Sequence, residues 1–150
     1  MDRTDNRQAS KRNGFTLVEL IITLLILGVL AGIAVPIYLG QREKSKNVEA
    51  QENLLALRQL LEQYYNENGC YYKPAGTCTN ATLYYNSTSN TIVTNYLTGF
   101  KPGNAAGLHF NYNITTAGTA STFVATAVKI GATGNTGIFS IDQNNNRQGF

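Results

Sequence analysis

The chain has 150 residues, enough for one domain of ordinary size and too few for a multi-domain enzyme. Its hydrophobic content of 43% is lopsided: residues 15–39 are almost wholly apolar, while residues 74–150 hold four charged side chains, Lys101, Lys129, Asp142 and Arg147. The net charge of +3 splits into +2 over residues 1–14 and near neutrality beyond, which argues against nucleic-acid binding through a broad basic field. One His and two Cys leave little material for a metal cage or a His-based triad, so neither enzyme activity nor a cofactor is expected.

Residues 1–14 form a basic leader, with Arg3, Arg7, Lys11 and Arg12 set against Asp2 and Asp5. Residues 15–39 carry only Thr16, Glu19 and Thr23 as clear polar interruptions. At ~1.5 Å per residue such a helix is ~37 Å long, sufficient for a ~30 Å hydrocarbon core. The basic leader on one side and the balanced charges of residues 42–52 on the other predict a cytoplasmic N-terminus and an exported C-terminal part. A cleaved secretory signal fits less well, because the apolar run is long and lacks a small-x-small site.

From residue 40 to residue 68 the pattern predicts an amphipathic continuation of the same helix. There is no Pro or Gly from Gln41 to Asn68, and Leu54, Leu57, Leu61 and Tyr64 recur at helical spacing. Asn68 and Gly69 supply a stop.

Residues 69–107 read as a loop region, because eleven of the seventeen residues 79–95 are Asn, Thr or Ser. Residues 108–150 read as an antiparallel sheet, with strand signals at residues 108–115, 122–130 and 137–142. The expected fold class is α+β, a long N-terminal helix packed on a C-terminal antiparallel sheet. Cys70 and Cys78 are expected to pair, since the exported part would meet an oxidising compartment.

Glu19 is the only formal charge between Phe15 and Gln41. A carboxylate in lipid costs ~2.5–3.5 kcal/mol or more and needs a partner, unless it snorkels to the surface. A cut between Gly14 and Phe15 would free an ammonium one turn from Glu19, in the same chain or a neighbour. Pro36 lacks the N–H that would bond the Gly32 carbonyl, so a kink or local melting is expected around Gly28, Gly32 and Pro36.

The run GFTLVELIITLLILGVLAGIAVPIYLGQREK, residues 14–44, resembles the N-terminus of type IV pilins and their pseudopilin relatives. The resemblance implies a pilin fold and a membrane peptidase that cuts after Gly14 and methylates Phe15. It also implies that Glu19 guides assembly and that Gly28, Gly32 and Pro36 soften the helix. The implied life history is an inner-membrane precursor, handled by the prepilin peptidase and assembly machinery, which then joins copies of itself in an extracellular filament.

Two alternatives stay open: a pseudopilin of a type II secretion system, and a minor pilin that binds DNA or a surface ligand through Lys73, Lys101 and Lys129. The segment Gly69-Cys70-Tyr71-Tyr72-Lys73-Pro74 stands where major pseudopilins carry a Tyr-Pro-Thr-rich tract. Asp142, Asn144 and Asn146 open a D-x-N-x-N pattern, but Arg147 occupies the glycine position, so a turn is expected there and no metal. His109 reads as structural or exposed, and six tyrosines between Tyr64 and Tyr85 read as packing. The triplets at Asn80, Asn86 and Asn113 match glycosylation acceptors by composition alone.

Overall fold

A computed structural model describes residues 14–94, 96–103, 107–133 and 137–150. Apart from Gly14, the leader lies outside the described residues. The chain divides into two compact units, Met1–Gln41 and Arg42–Phe150.

The first element, α1, is a single helix over Leu17–Asn68 that contributes to both units. Its start is set chemically. Thr16 Oγ1 accepts the backbone N–H of Glu19 at 3.2 Å, and the Thr16 carbonyl accepts Leu20 N–H at 3.2 Å. This is an N-cap, with Thr16 and Glu19 in the spacing of a capping box. The end is equally defined: Gly69 takes φ 78° and its N–H returns to the Tyr65 carbonyl at 2.7 Å.

Within the unit Met1–Gln41, the described helix is exposed on every side. Gly28, Gly32 and Pro36 are all helical.

In the unit Arg42–Phe150, α1 buries Ala50, Leu54, Leu57 and Leu61, spaced by four, three and four positions. The expected stripe shifts by one turn: Ala50 joins it, and Tyr64 is only partly buried. Five strands follow in an antiparallel meander, β1 Thr82–Tyr85, β2 Phe110–Ala117, β3 Thr122–Lys129, β4 Ile138–Asp142 and β5 Arg147–Gln148, neighbouring in that order. One sheet face carries Leu83, Tyr85, Phe110, Tyr112, Ile114, Phe123, Ala125, Ala127, Phe139 and Ile141 into a core shared with the helix stripe. The fold is thus α+β, a long helix packed on an antiparallel sheet.

The loop reading of residues 69–107 needs correction. Within it lie a 3₁₀ turn at Pro74–Gly76, strand β1 and a short helix α2, Thr91–Thr94. Leu83 pairs with Ile114 and Tyr85 with Tyr112, so two alternating apolar residues outweigh a composition of Asn, Ser and Thr. The hydroxyl of Thr91 accepts Tyr84 N–H at 2.9 Å, satisfying part of the exposed edge of β1. Strand β5 pairs Gln148 with Ser140 and Arg147 with Ile141, and its exposed side chains offer no periodic signal.

Candidate processing and assembly site

Gly14, Phe15 and Thr16 precede the first turn of α1, and Phe15 is 81% exposed. The Gly14–Phe15 peptide therefore lies outside the helical ladder. Sequence reasoning missed Thr16, although the Thr-x-x-Glu spacing was legible as a capping signal. Glu19 occupies the third helical position, where a negative charge is favoured by the helix dipole. Its side chain is exposed.

Beyond Glu19 the large apolar side chains are uncovered through Leu39, including the four consecutive residues Leu24, Leu25, Ile26 and Leu27, which point to all sides of the helix. By length and composition this helix can cross a membrane. An apolar surface closed around the full helix circumference suits lipid or a sleeve of similar helices, since a soluble domain would bury only one stripe.

The unit Arg42–Phe150 holds the remaining candidates. Glu43 pairs with Lys129 from β3 and with Lys46 at 2.9 Å. The hydrogen bonds from Lys129 and then Lys46 pull its carboxyl down to about 2. Lys73 donates to the Asn68 carbonyl at 3.2 Å, at the end of α1. Lys73 and Lys129 thus serve different structural partners, which weakens the reading of a joint ligand site with Lys101.

Cys70 and Cys78 form a disulfide, with Cα atoms 6.1 Å apart. Around it the tyrosines pack edge to face: Tyr64 on Tyr96 at 4.6 Å, Tyr72 on Tyr96 at 5.3 Å, and Tyr71 on Phe123 at 4.7 Å. Burial pushes the Tyr71 hydroxyl up to about 12, helped by Glu62, and burial does the same for Tyr112.

The D-x-N-x-N segment forms the β4–β5 turn. Asp142 accepts Asn146 N–H at 2.8 Å and Asn146 Nδ2–H at 2.7 Å, and Asn145 sits at φ 64°. Arg58 Nη2 donates to the Gln143 carbonyl at 3.3 Å. The carboxylate oxygens are thus engaged within the turn, and a cationic side chain sits beside it. Desolvation raises the Asp142 carboxyl, but the bonds from Asn146 and Asn144 outweigh it and leave it below the usual range. Among the described residues no group of three or more His, Cys, Asp or Glu is arranged to hold a metal. His109 is exposed. Two acceptor triplets have structural uses: Asn80 Oδ1 accepts Ala120 N–H at 2.8 Å, and Asn86 Oδ1 accepts Ser89 N–H at 2.7 Å.

The site thus combines a capped helix start beside an exposed Phe15 with an apolar helix that carries one acid and is long enough to cross a membrane. Residues 9–35 match the family described as the prokaryotic N-terminal methylation motif. The chain is 37% identical over 65 residues to type II secretion system core protein G of Escherichia coli (strain K12), covering 43% of this chain and 45% of that protein. The corresponding protein of Aeromonas hydrophila is 36% identical over 64 residues, with the same two shares of 43% and 45%. This chain is also 39% identical over 61 residues to type IV major pilin protein PilA of Myxococcus xanthus (strain DK1622), covering 41% of this chain and 28% of that one. The chain therefore spans less than half the length of these curated relatives. No solved structure gives a significant match. Motif and relatives together show that the N-terminal part of the chain is similar to those of type IV pilins and type II secretion pseudopilins.

Proposed function

We propose that the chain is a structural subunit that is cut between Gly14 and Phe15 by a prepilin peptidase, methylated at Phe15, and polymerised through α1 into a type IV pilus filament. The observation that carries this reading is the fully exposed apolar half of α1 with Glu19 as its single formal charge, inside a segment that matches a methylation motif. Before assembly the apolar half lies in the inner membrane. In the filament the same surface packs against copies of itself, and the nearly uncharged outer sheet faces the cell exterior. Glu19 meets the new N-terminal ammonium of a neighbouring subunit, which compensates both charges where the dielectric is low. Gly28, Gly32 and Pro36 form the stretch that extends when helices pack, because Pro36 already lacks one ladder bond. The subunit acts by assembly and carries no reaction of its own.

A second reading, a pseudopilin of a type II secretion system, draws equal support from the relatives named as core protein G. Electron microscopy of sheared surface material, with N-terminal sequencing and intact mass, separates the two. Abundant thin surface filaments made of chains beginning at N-methylated Phe15 select the pilus. Chains with that same N-terminus but no surface filaments, together with loss of protein secretion on deletion, select the pseudopilin. Chains that begin at Met1 or beyond Leu39 overturn both.

A further inference from the structure

The β2–β3 hairpin turns through four residues between the pair Ala117 and Thr122. Three of them in succession adopt left-handed backbone: Gly118 at φ 59°, Thr119 at φ 59° and Ala120 at φ 56°. Glycine takes that conformation freely, whereas two successive residues with a Cβ hold it only when neighbours over-determine it. Some restraints come from within the turn, where Ser121 Oγ donates to the Gly118 carbonyl at 2.7 Å and Ser121 N–H to the Ala117 carbonyl at 3.0 Å. The others come from outside the hairpin. Tyr71 N–H donates to the Ala120 carbonyl at 2.8 Å, and Ala120 N–H donates to Asn80 Oδ1 at 2.8 Å. Ala120 is completely buried between them.

The outside restraints flank the disulfide, one just inside its loop and one just beyond it. Tyr71 follows Cys70, and Asn80 lies two positions past Cys78. The loop's own backbone is held by Thr77 N–H to the Pro74 carbonyl at 3.2 Å, Thr79 N–H to the Tyr72 carbonyl at 3.1 Å and Lys73 N–H to the Tyr64 hydroxyl at 3.3 Å. We propose that the Cys70–Cys78 disulfide is a redox latch: when closed, it sets Tyr71 and Asn80 on either side of Ala120 and fixes the hairpin tip, and when reduced, it frees the tip while the body of the sheet persists.

Cys70 is buried and Cys78 is half-buried, so a dithiol reductant reaches Cys78 first. Its thiolate bonds to Cys78 Sγ, the Cys70–Cys78 bond breaks, and Cys70 leaves as a thiolate that takes up a proton. The second thiol of the reductant then displaces Cys78, which leaves as a thiol. The reductant ends as a disulfide, two electrons having passed to the protein. The latch is independent of whether the chain builds a pilus or a pseudopilus.

Hydrogen exchange on the full chain in detergent micelles, oxidised or reduced with dithiothreitol, tests the latch. Reduction should speed exchange of the Tyr71 and Ala120 amides about tenfold or more, and leave Ala125 and Ala127 in the central strand within about twofold. The Cys70→Ser and Cys78→Ser variants should match the reduced chain. Thr119→Gly, which removes one unfavourable left-handed residue on an exposed position, should cut the response to reduction to about threefold or less. Equal acceleration at Ala120 and Ala125 would make the disulfide a general stabiliser and overturn the latch. So would an unchanged Ala120 amide, or a Thr119→Gly response equal to that of the parent.

Discussion

The side chain of Asn80 accepts the backbone N–H of Ala120 at 2.8 Å, joining the segment that follows the disulfide to a hairpin tip 40 positions further along the chain. Asn80→Ala leaves that N–H without a partner beside a fully buried residue. Denaturant unfolding should show a loss of roughly 1–3 kcal/mol, the range for orphaning a buried donor. Asn80→Asp keeps an acceptor and should lose less.

Leu57 stands in the middle of the helix stripe and is fully buried. Leu57→Ala removes apolar contact and leaves a cavity in the core, so thermal or chemical denaturation should report a loss of about 2–5 kcal/mol. Val48→Ala, at a position on the same helix that is 49% exposed, should stay within about 0.5 kcal/mol.

Glu19 makes its case by what its removal spares. It lies in the unit Met1–Gln41, so Glu19→Ala and Glu19→Gln should leave the circular dichroism and melting of the unit Arg42–Phe150 unchanged. Membrane insertion should be equal or better, because an intramembrane charge is gone. Filament yield should collapse in both variants, with subunits accumulating in the inner membrane. Wild-type filament yield at equal subunit abundance would show that the acid has no part in assembly.

Titration should expose two limits of the unit Arg42–Phe150. Glu43 has a folded value of about 2 against an ordinary 4.5, so its contribution is present above pH 4.5 and fades as pH falls towards 2. Because Glu43 is 47% exposed, the effect should be small and should shrink further in high salt. Glu43→Gln should flatten that acid limb. Tyr71 and Tyr112 have folded values raised to about 12 from 10.0, so their contribution is complete below pH 10 and is lost as pH rises towards 12. Tyr112→Phe should extend stability on the alkaline side while losing the 2.9 Å hydrogen bond that Tyr112 accepts from Asn53. Stability measured against pH checks both limbs.

Much of the molecule was legible because its signals are local. A residue's neighbours three or four positions away decide whether it lies on a helix face, so Leu54, Leu57 and Leu61 declared their burial in one dimension. Phe110, Tyr112 and Ile114 did the same at strand spacing. The apolar run, its single acid and the Gly14–Phe15 junction are likewise contiguous, and Thr16 with Glu19 encodes a helix start within four residues. Only the tertiary structure decided the rest. The strand character of Leu83 and Tyr85 appears when β2 supplies Ile114 and Tyr112 as partners. The pairing of Glu43 with Lys129 joins positions 86 apart. The left-handed turn at Thr119 and Ala120 runs against local preference, and besides the turn's own Ser121 bonds it is held by Tyr71 and Asn80, which come from a distant segment and bond the carbonyl and the N–H of buried Ala120.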